Sequence, residues 1–475
     1  MTAAITGVGA YAPRFRISAE AFQDAWGQFQ ASGVTEKAVA AADEDALTMA
    51  YEAADRALEA ADVDPETVDW LAFASSTPPL AEEDLTARLG AMLEVSDSAT
   101  RHVFTGSTRA GTRALWAGMD ALEAEASTGL VVAADAPQGD PDDGIDHAAG
   151  AGAAAFVIER DGPAEIVDRA EYATPYPGTR FRATGEDATQ GLGVTQYDRS
   201  AFTETIGGAV SGLEVDPDPT AVAIQAPDGK LPYRAAGAAG VGTDEIQAAA
   251  TVHELGDLGA ASVPVSLVSA LEDGYERILG VSHGSGAGAD AFVVDVDGDV
   301  PAETTLERDE SLSYAEYLRQ RGVVTTGPPS GGGAYVSVPS WHRSIPQRYT
   351  LEAGRCPECG SLAFPPEGAC ADCNALEEYE PVHLSGEGEI EAVTTISQGG
   401  APPEFAEQQG RSGDYAAAIV ALESGDGDET ASIAAMGTDA APDAFAVGDR
   451  IETTIRRVYT QEGVTRYGFK VRPAE

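Results

Sequence analysis

All four cysteines of this 475-residue chain fall in one short stretch, "CPECGSLAFPPEGACADC", as Cys356, Cys359, Cys370 and Cys373. The spacing C-x2-C-x10-C-x2-C puts two thiols on each of two tight knuckles, close enough for four thiolates to meet one ion tetrahedrally. Zn2+ favours that set. Four sulfur ligands leave no open position for water or substrate, so the spacing predicts a structural zinc ribbon. Two disulfides are the competing reading. They are disfavoured because no signal-peptide pattern opens the chain, and a reducing cytoplasm, the expected location, keeps thiols reduced. Sulfur chemistry is thereby confined to the C-terminal part, and a covalent step elsewhere falls to weaker nucleophiles such as hydroxyls. Four histidines, His102, His147, His253 and His283, lie in the first 325 residues, and His283 adjoins the glycine loop "GSGAG". A lone histidine is more often structural than catalytic.

The charge balance bounds the partners. There are 78 acidic residues against 29 basic ones, a formal charge of -49, and the lysines are Lys37, Lys230 and Lys470. At about 1 M salt the Debye length is only ~3 Å, so a surface this acidic does not repel itself apart in a salt-saturated cell. The acidity therefore reads as halophilic adaptation. An acidic disordered tail does not fit, because the carboxylates are interspersed with alanine, valine and leucine along the whole chain. No run of about 18 apolar residues exists to span a membrane. Phosphate-rich nucleic acid is excluded as a partner by the same repulsion.

The elements that must position any site are visible in the apolar periodicity. Leu47, Ala50, Tyr51, Ala54 and Leu58 recur at helical spacing behind Asp43, Glu44 and Asp45, which favour a helix N-terminus. "WLAFA", a helix over "TRAGTRALWAGMDALEAEAST" and "GLVVAAD" follow, and this alternation predicts an α/β fold with parallel strands covered by helices. "GAGAAAFVI" at 150–158 is echoed by "GAGADAFVV" at 286–294, each a glycine turn feeding an apolar strand, which implies two similar halves. Composition changes at "TTGPPSGGGAYVSVPSW", a linker stretch that places a domain boundary near Pro328.

"GVGAYAPRFRI", "EKAVAAADEDALTMAYEAADRAL", "AADAPQGDP", "APDGKLPYRAA", "ASVPVSLVSALE" and "HGSGAGADAF", in that order, resemble archaeal hydroxymethylglutaryl-CoA synthase of the thiolase superfamily over about residues 1–325. The resemblance implies a duplicated five-layer thiolase-like fold, a coenzyme A thioester as ligand and a homodimer through residues 1–325. Enzymes of that family use a cysteine at a helix start as the acyl acceptor, assisted by a glutamate and a histidine. Here those positions are Thr108, Ser76 and Gln225. A threonine hydroxyl needs a base, and neither serine nor glutamine accepts a proton near neutral pH. Thr108 is expected instead to cap its helix. Lys230, Arg234 and Ser285 match the family's coenzyme A contacts, and Asp257 replaces an asparagine that touches the acyl end.

In the last third, "EGEIEAVTTIS", "DYAAAIVALES", "TASIAAMGT", "DRIETTIRRVYT" and "TRYGFKVRP" read as five strands, the number of a small OB-type barrel. With the preceding helix and knuckles they resemble the acyl-CoA-associated zinc-ribbon/OB family. Members of that family hold a thiolase against hydroxymethylglutaryl-CoA synthase. The expected domains are 1–325, a linker at 326–340, helix and zinc ribbon at 341–380, and the barrel at 381–475. The expected function is that of a catalytically degenerate, acyl-CoA-binding protein fused to its scaffold domain. It would work in isoprenoid or lipid metabolism beside an active thiolase or condensing enzyme. The alternative is an active acyltransferase, aldolase or lyase on CoA thioesters with a site that lacks cysteine.

Overall fold

The computed structural model describes residues 3–308, 310–324, 337–397, 401, 405–427 and 429–474, so most of the expected 326–340 linker and its boundary near Pro328 lie outside the described residues. The chain divides into two compact units, Met1–Tyr317 and Leu318–Glu475.

The first unit is built on a ten-stranded sheet. Its strands are β1 (Ala4–Tyr11), β2 (Trp70–Ala74), β3 (Thr100–Phe104), β4 (Thr128–Asp135) and β5 (Gly152–Glu159), then β6 (Ala164–Ala173), β7 (Ala221–Ile224), β8 (Arg277–Gly284), β9 (Gly288–Val296) and β10 (Ala302–Thr305). The order is β3-β2-β4-β5-β1-β6-β9-β8-β7, with β10 beside β1. Read outward from the β1–β6 pair, both sides repeat one pattern. β1 is antiparallel to β5, β5 antiparallel to β4, and β4 parallel to β2. Likewise β6 is antiparallel to β9, β9 antiparallel to β8, and β8 parallel to β7. The two echoed glycine-fed strands, β5 and β9, occupy equivalent places.

The expectation of parallel strands holds at the two ends of the sheet and between β1 and β10, while the main path through its centre is antiparallel. The physical reason is the length of the connections. β8 and β9 are joined by a tight turn through Gly286, at φ +100, and a turn that short joins only antiparallel neighbours.

Helices cover the sheet in alternating layers. α1 (Ala46–Ala61) begins at Asp45, whose carboxylate caps the Leu47 and Thr48 amides in a capping box; it packs on β1, β4 and β5. α2 (Ala110–Ala124) lies on β2 and β4, α3 (Thr195–Val210) on β6, β8 and β9, and α5 (Ser262–Glu272) on β7 and β8, while α4 (Leu231–Ala239) packs against α3. α2 and α5 touch each other in the middle. The period-2 alternation of the strands divides the core accordingly. Ala221, Ala223, Ile278, Phe292 and Val294 join Val265 and Val268 of α5, while Val222, Ile224, Leu279, Val281 and Val293 join Phe202 and Ile206 of α3. A sheet buried on both faces explains why its strands read as unbroken apolar runs.

In the second unit, β11 (Glu380–Ile396), β12 (Tyr415–Ser424), β13 (Thr430–Met436), β14 (Arg450–Gln461) and β15 (Val464–Pro473) coincide with the five strand-like runs. β12 lies between β11 and β13, β14 pairs with both β11 and β15, and a parallel bridge from Gly437 to Val471 closes the ring. The interior holds Ile390, Val420, Leu422, Ile433, Ile451 and Val471. The cysteine knuckles are joined to this barrel through the strand Glu352–Arg355, which pairs with the start of β11.

Candidate functional site

The loops after β7 and β8, the start of α2 and the segment before α3 surround a cavity of about 370 Å³. Of the residues singled out in the sequence, Thr108, Gln225, Arg234, Asp257 and Ser285 line it, as does His283. Ser76 and Lys230 do not. Among the other histidines, His102 is exposed on β3, His147 is buried with Nδ1 accepting from the Gln30 amide at 2.9 Å, and His253 lies between Gly33 and Tyr233. None of the three lines the cavity.

Thr108 stands two residues before α2, and its hydroxyl donates to the His283 carbonyl at 2.6 Å. The expected helix-capping role is therefore overturned: the N-cap of α2 is Arg109, with no side-chain cap. The helix start is held by charge instead. Arg109 Nε and Arg113 Nε donate to the Asp290 carboxylate at 2.9 and 3.0 Å, and Asp290 is fully buried in β9. This arrangement aims the Thr108 proton at a carbonyl oxygen, which cannot take it.

Ser76 is drawn elsewhere. Its hydroxyl donates to Asp135 Oδ2 at 2.5 Å, in a buried cluster where Asp135 also accepts from Ser75 Oγ at 2.9 Å, the Thr77 amide at 2.7 Å and the Ala260 amide at 2.6 Å. Gly259 makes this possible, since a Cβ there would sit 2.2 Å from Asp135 Oδ2. With its acceptors fully engaged, Asp135 is an anchor for loops, and Ser76 is tied to it.

Asp257 brings a partner that the sequence alone does not reveal. It is 2% exposed, and Arg180 Nη1 lies 2.5 Å from its Oδ2. A buried carboxylate demands a cation, but Arg180 is 77 residues away and no spacing rule points to it. The Gly259 amide and Ser262 hydroxyl complete the carboxylate's bonds at 3.0 and 3.2 Å. Gln225 donates Nε2 to the Gly259 carbonyl at 3.0 Å, and its Oε1 is buried without a partner, as are Arg180 Nη2, Asp198 Oδ1 and Arg199 Nε on the same cavity wall. Burial pushes the Asp198 carboxyl up. Buried polar atoms left unpaired are costly unless a ligand or water meets them.

His283 is the base that reaches the cavity. Its Nδ1 is 2.9 Å from Thr205 Oγ1, and that hydroxyl is 2.8 Å from the Ala201 carbonyl. One hydroxyl proton serves the carbonyl, so Nδ1 carries the imidazole proton and Nε2 keeps a lone pair. Burial, with Arg109 and Arg180 nearby, lowers the His283 pKa to about 4, and the ring is neutral at pH 7.

Lys230 and Arg234 are both exposed, at the start of α4, where Asp228 caps the Lys230 and Leu231 amides at 2.7 Å each. Neither side chain has a carboxylate partner among the described residues. Lys37 and Lys470 are each 1% exposed, so Lys230 is the lysine left at the surface.

The four cysteine sulfurs lie within 4.8 Å of one another, with Cys356–Cys373 and Cys359–Cys370 each at 3.6 Å. A disulfide needs about 2.05 Å, whereas four Zn–S bonds of about 2.3 Å spread over a tetrahedron require separations near those seen. The donor set fits zinc, and the ligands would be Cys356, Cys359, Cys370 and Cys373.

Comparison with known proteins agrees with both units. The chain is 32% identical over 346 residues to hydroxymethylglutaryl-CoA synthase of Methanopyrus kandleri, covering 68% of this chain and 95% of that protein. The chain belongs to the hydroxymethylglutaryl-CoA synthase family. The synthase of Methanocaldococcus jannaschii is 30% identical over 348 residues, covering 67% of this chain and 98% of its own. A crystal structure of hydroxymethylglutaryl-CoA synthase complexed with CoA superposes with a TM-score of 0.63 at 18% identity, over 71% of this chain and 94% of that one. Residues 343–377 match the ChsH2 rubredoxin-like zinc ribbon domain. Family membership and a thiolase-like α/β fold with an appended zinc ribbon are thus established.

Proposed function

We propose that this member of the family binds a coenzyme A thioester in the first unit without bonding to it, and that the zinc ribbon and barrel hold it against an active thiolase or condensing enzyme. The observation that carries the reading is the Thr108 hydroxyl bonded at 2.6 Å to a backbone carbonyl, in the position of the family's acyl-accepting cysteine. Each general acid or base contributes ~10²- to 10⁴-fold. With Thr108, Ser76 and Gln225 in those places, the covalent mechanism has neither nucleophile nor proton carrier.

The grip on the ligand has better support. Two cations without carboxylate partners flank the cavity in a chain of charge -49, and a compact ammonium beside a guanidinium suits phosphates. Lys230, Arg234 and Ser285 would meet the coenzyme, and the Asp257–Arg180 pair would face the acyl end. Residues 1–325 would pair as a homodimer in a salt-rich cytoplasm, with structural zinc at the four cysteines of the scaffold.

The test uses radiolabelled acetyl-CoA in multimolar KCl. Saturable binding that leaves no label on the denatured protein is expected, together with a thiolase or synthase recovered from the native high-salt lysate. A label retained on Thr108 or Ser107 would sink the non-covalent reading. A second reading is favoured by the free Nε2 of His283: proton transfer to or from a bound thioester, without a covalent step. It predicts turnover of β-hydroxyacyl-CoA that is lost in His283→Phe, and it is abandoned if no turnover occurs with partners present.

A further inference from the structure

The wall that α3 gives to the first unit's cavity is one face of the helix. Thr195, Asp198, Arg199 and Phe202 line the cavity, and steps of three and four residues put them in a single stripe. Thr205 continues that stripe, fully buried, with its hydroxyl 2.9 Å from His283 Nδ1. The His283 ring also stands nearly edge-on to Phe202, the centroids 5.0 Å apart. With Nδ1 engaged, Nε2 is the nitrogen that serves the cavity. Asp198 lies one helical turn before Phe202, and Thr205 nearly one turn after it. Carboxyl and imidazole are therefore set apart by about one to two turns, roughly 6–10 Å along the axis. That gap admits one acyl group between them.

Burial moves the two groups in opposite directions. It pushes the Asp198 carboxyl up and, with Arg109 and Arg180 nearby, lowers His283 to about 4, so the carboxyl holds a proton more readily and the imidazole less. An acid and a base facing one cavity are the parts of proton-transfer catalysis. Their order selects the reaction. Ser285, placed on the coenzyme in the reading above, follows His283 by two residues, which puts the imidazole at the thioester end and Asp198 farther along the acyl chain. Loss of water needs the base at the α-carbon and the acid at the β-hydroxyl, whereas cleavage between those carbons needs the base at the hydroxyl.

We propose that Asp198 and His283 are an acid–base pair that removes water from a β-hydroxyacyl coenzyme A thioester, and adds it in reverse. The α-proton goes to His283 Nε2, and its electron pair forms the double bond to the β-carbon. The carbon–oxygen bond breaks, and the hydroxyl takes the Asp198 proton and leaves as water. Solvent returns the Nε2 proton to the Asp198 carboxylate. The proposal rests on the second reading above, in which His283 moves a proton without a covalent step.

The test is interconversion of crotonyl-CoA and 3-hydroxybutyryl-CoA by the full-length protein in multimolar KCl, followed by the absorbance of the conjugated thioester. Hydration in D2O should place one deuterium on the α-carbon. Asp198→Asn and His283→Phe should each lower kcat by ~10²- to 10⁴-fold, with acetyl-CoA binding and the circular dichroism spectrum as in wild type. Turnover lost in His283→Phe but unchanged in kcat in Asp198→Asn overturns this proposal and leaves the second reading standing. Release of acetaldehyde and acetyl-CoA from 3-hydroxybutyryl-CoA also overturns it, since the two roles would then be reversed. Acetyl-CoA binding with no turnover of either thioester removes both the proposal and the second reading, and leaves only binding.

Discussion

The zinc knuckles and the first unit's cavity differ in how far apart along the chain their parts lie. Cys356 and Cys373 are 17 residues apart, whereas Thr108 and the His283 carbonyl it touches are separated by 175. The knuckles form a local site in which losing one ligand leaves three thiolates without a closed shell, so the set stands or falls together. The cavity is assembled by the sheet. Its walls come from burial of both sheet faces, which does not depend on the side chains of Thr108, Ser76 and Gln225.

The comparison is tested most severely at the knuckles. Cys359→Ser, or a chelator, should release the ribbon. In isolated zinc fingers the metal supplies about 10–16 kcal/mol of binding free energy, which is folding free energy there. Leu351 and Ala353 flank this segment and pack in the barrel core, so hydrogen exchange should accelerate over 352–383 and spread into the start of β11. The first unit should keep the coenzyme A binding proposed for it. A purified chain without stoichiometric zinc, or an unchanged exchange map, would break the contrast.

In the cavity a single change should cost less, and a compensating one should repair it. Arg180→Ala leaves the Asp257 carboxylate buried without its cation, and breaking a buried pair costs about 3–5 kcal/mol. Adding Asp257→Asn removes the stranded charge, and thermal unfolding in KCl should recover most of the loss. Equal melting of the single and double variants would mean that the pair at 2.5 Å is not what holds these loops.

Legibility follows the same division. The spacing of Cys356 to Cys373 and the five barrel strands could be read directly, because each rests on local periodicity. The internal repeat was visible in its two glycine-fed strands, although the antiparallel centre of the sheet was not. Alternating helices and strands do not reveal how short the β8–β9 connection is in space. Thr108 and Gln225 could be placed in the site, but Arg180, Asp198 and Arg199 could not, since Arg180 comes from the segment between β6 and α3 and the other two from the first turns of α3, and all three meet the cavity only through tertiary folding. The one available signal was Asp257, a carboxylate in a buried position that had to find a cation.

His283 gives a pH-dependent measure of the same cavity. Its folded pKa of about 4 lies below the ordinary 6.5, so the unfolded chain takes up the proton first as the pH falls. The neutral ring's contribution is complete above pH 6.5 and is lost as the pH drops through 4. At about 1.4 kcal/mol per pKa unit it amounts to no more than about 3.5 kcal/mol. His283→Phe should flatten the stability profile between pH 4 and 6.5 relative to wild type. An unchanged slope there would mean that the ring is not enclosed as described.

The smallest effect belongs to the cations at the cavity's edge, and it is the one that separates binding from mere surface charge. In multimolar KCl only charges within ~3 Å of a partner escape screening. A long-range attraction between Lys230 or Arg234 and coenzyme A is therefore absent, and what remains is direct contact with phosphate. Lys230→Ala and Arg234→Ala should each weaken acetyl-CoA binding by about 1 kcal/mol, roughly fivefold by calorimetry. The same variants should bind acetyl-pantetheine, which has no phosphate, as wild type does. Equal losses for both ligands would assign the effect to a disturbed α4, and no loss for either would return these residues to the exposed charges that contribute nothing measurable.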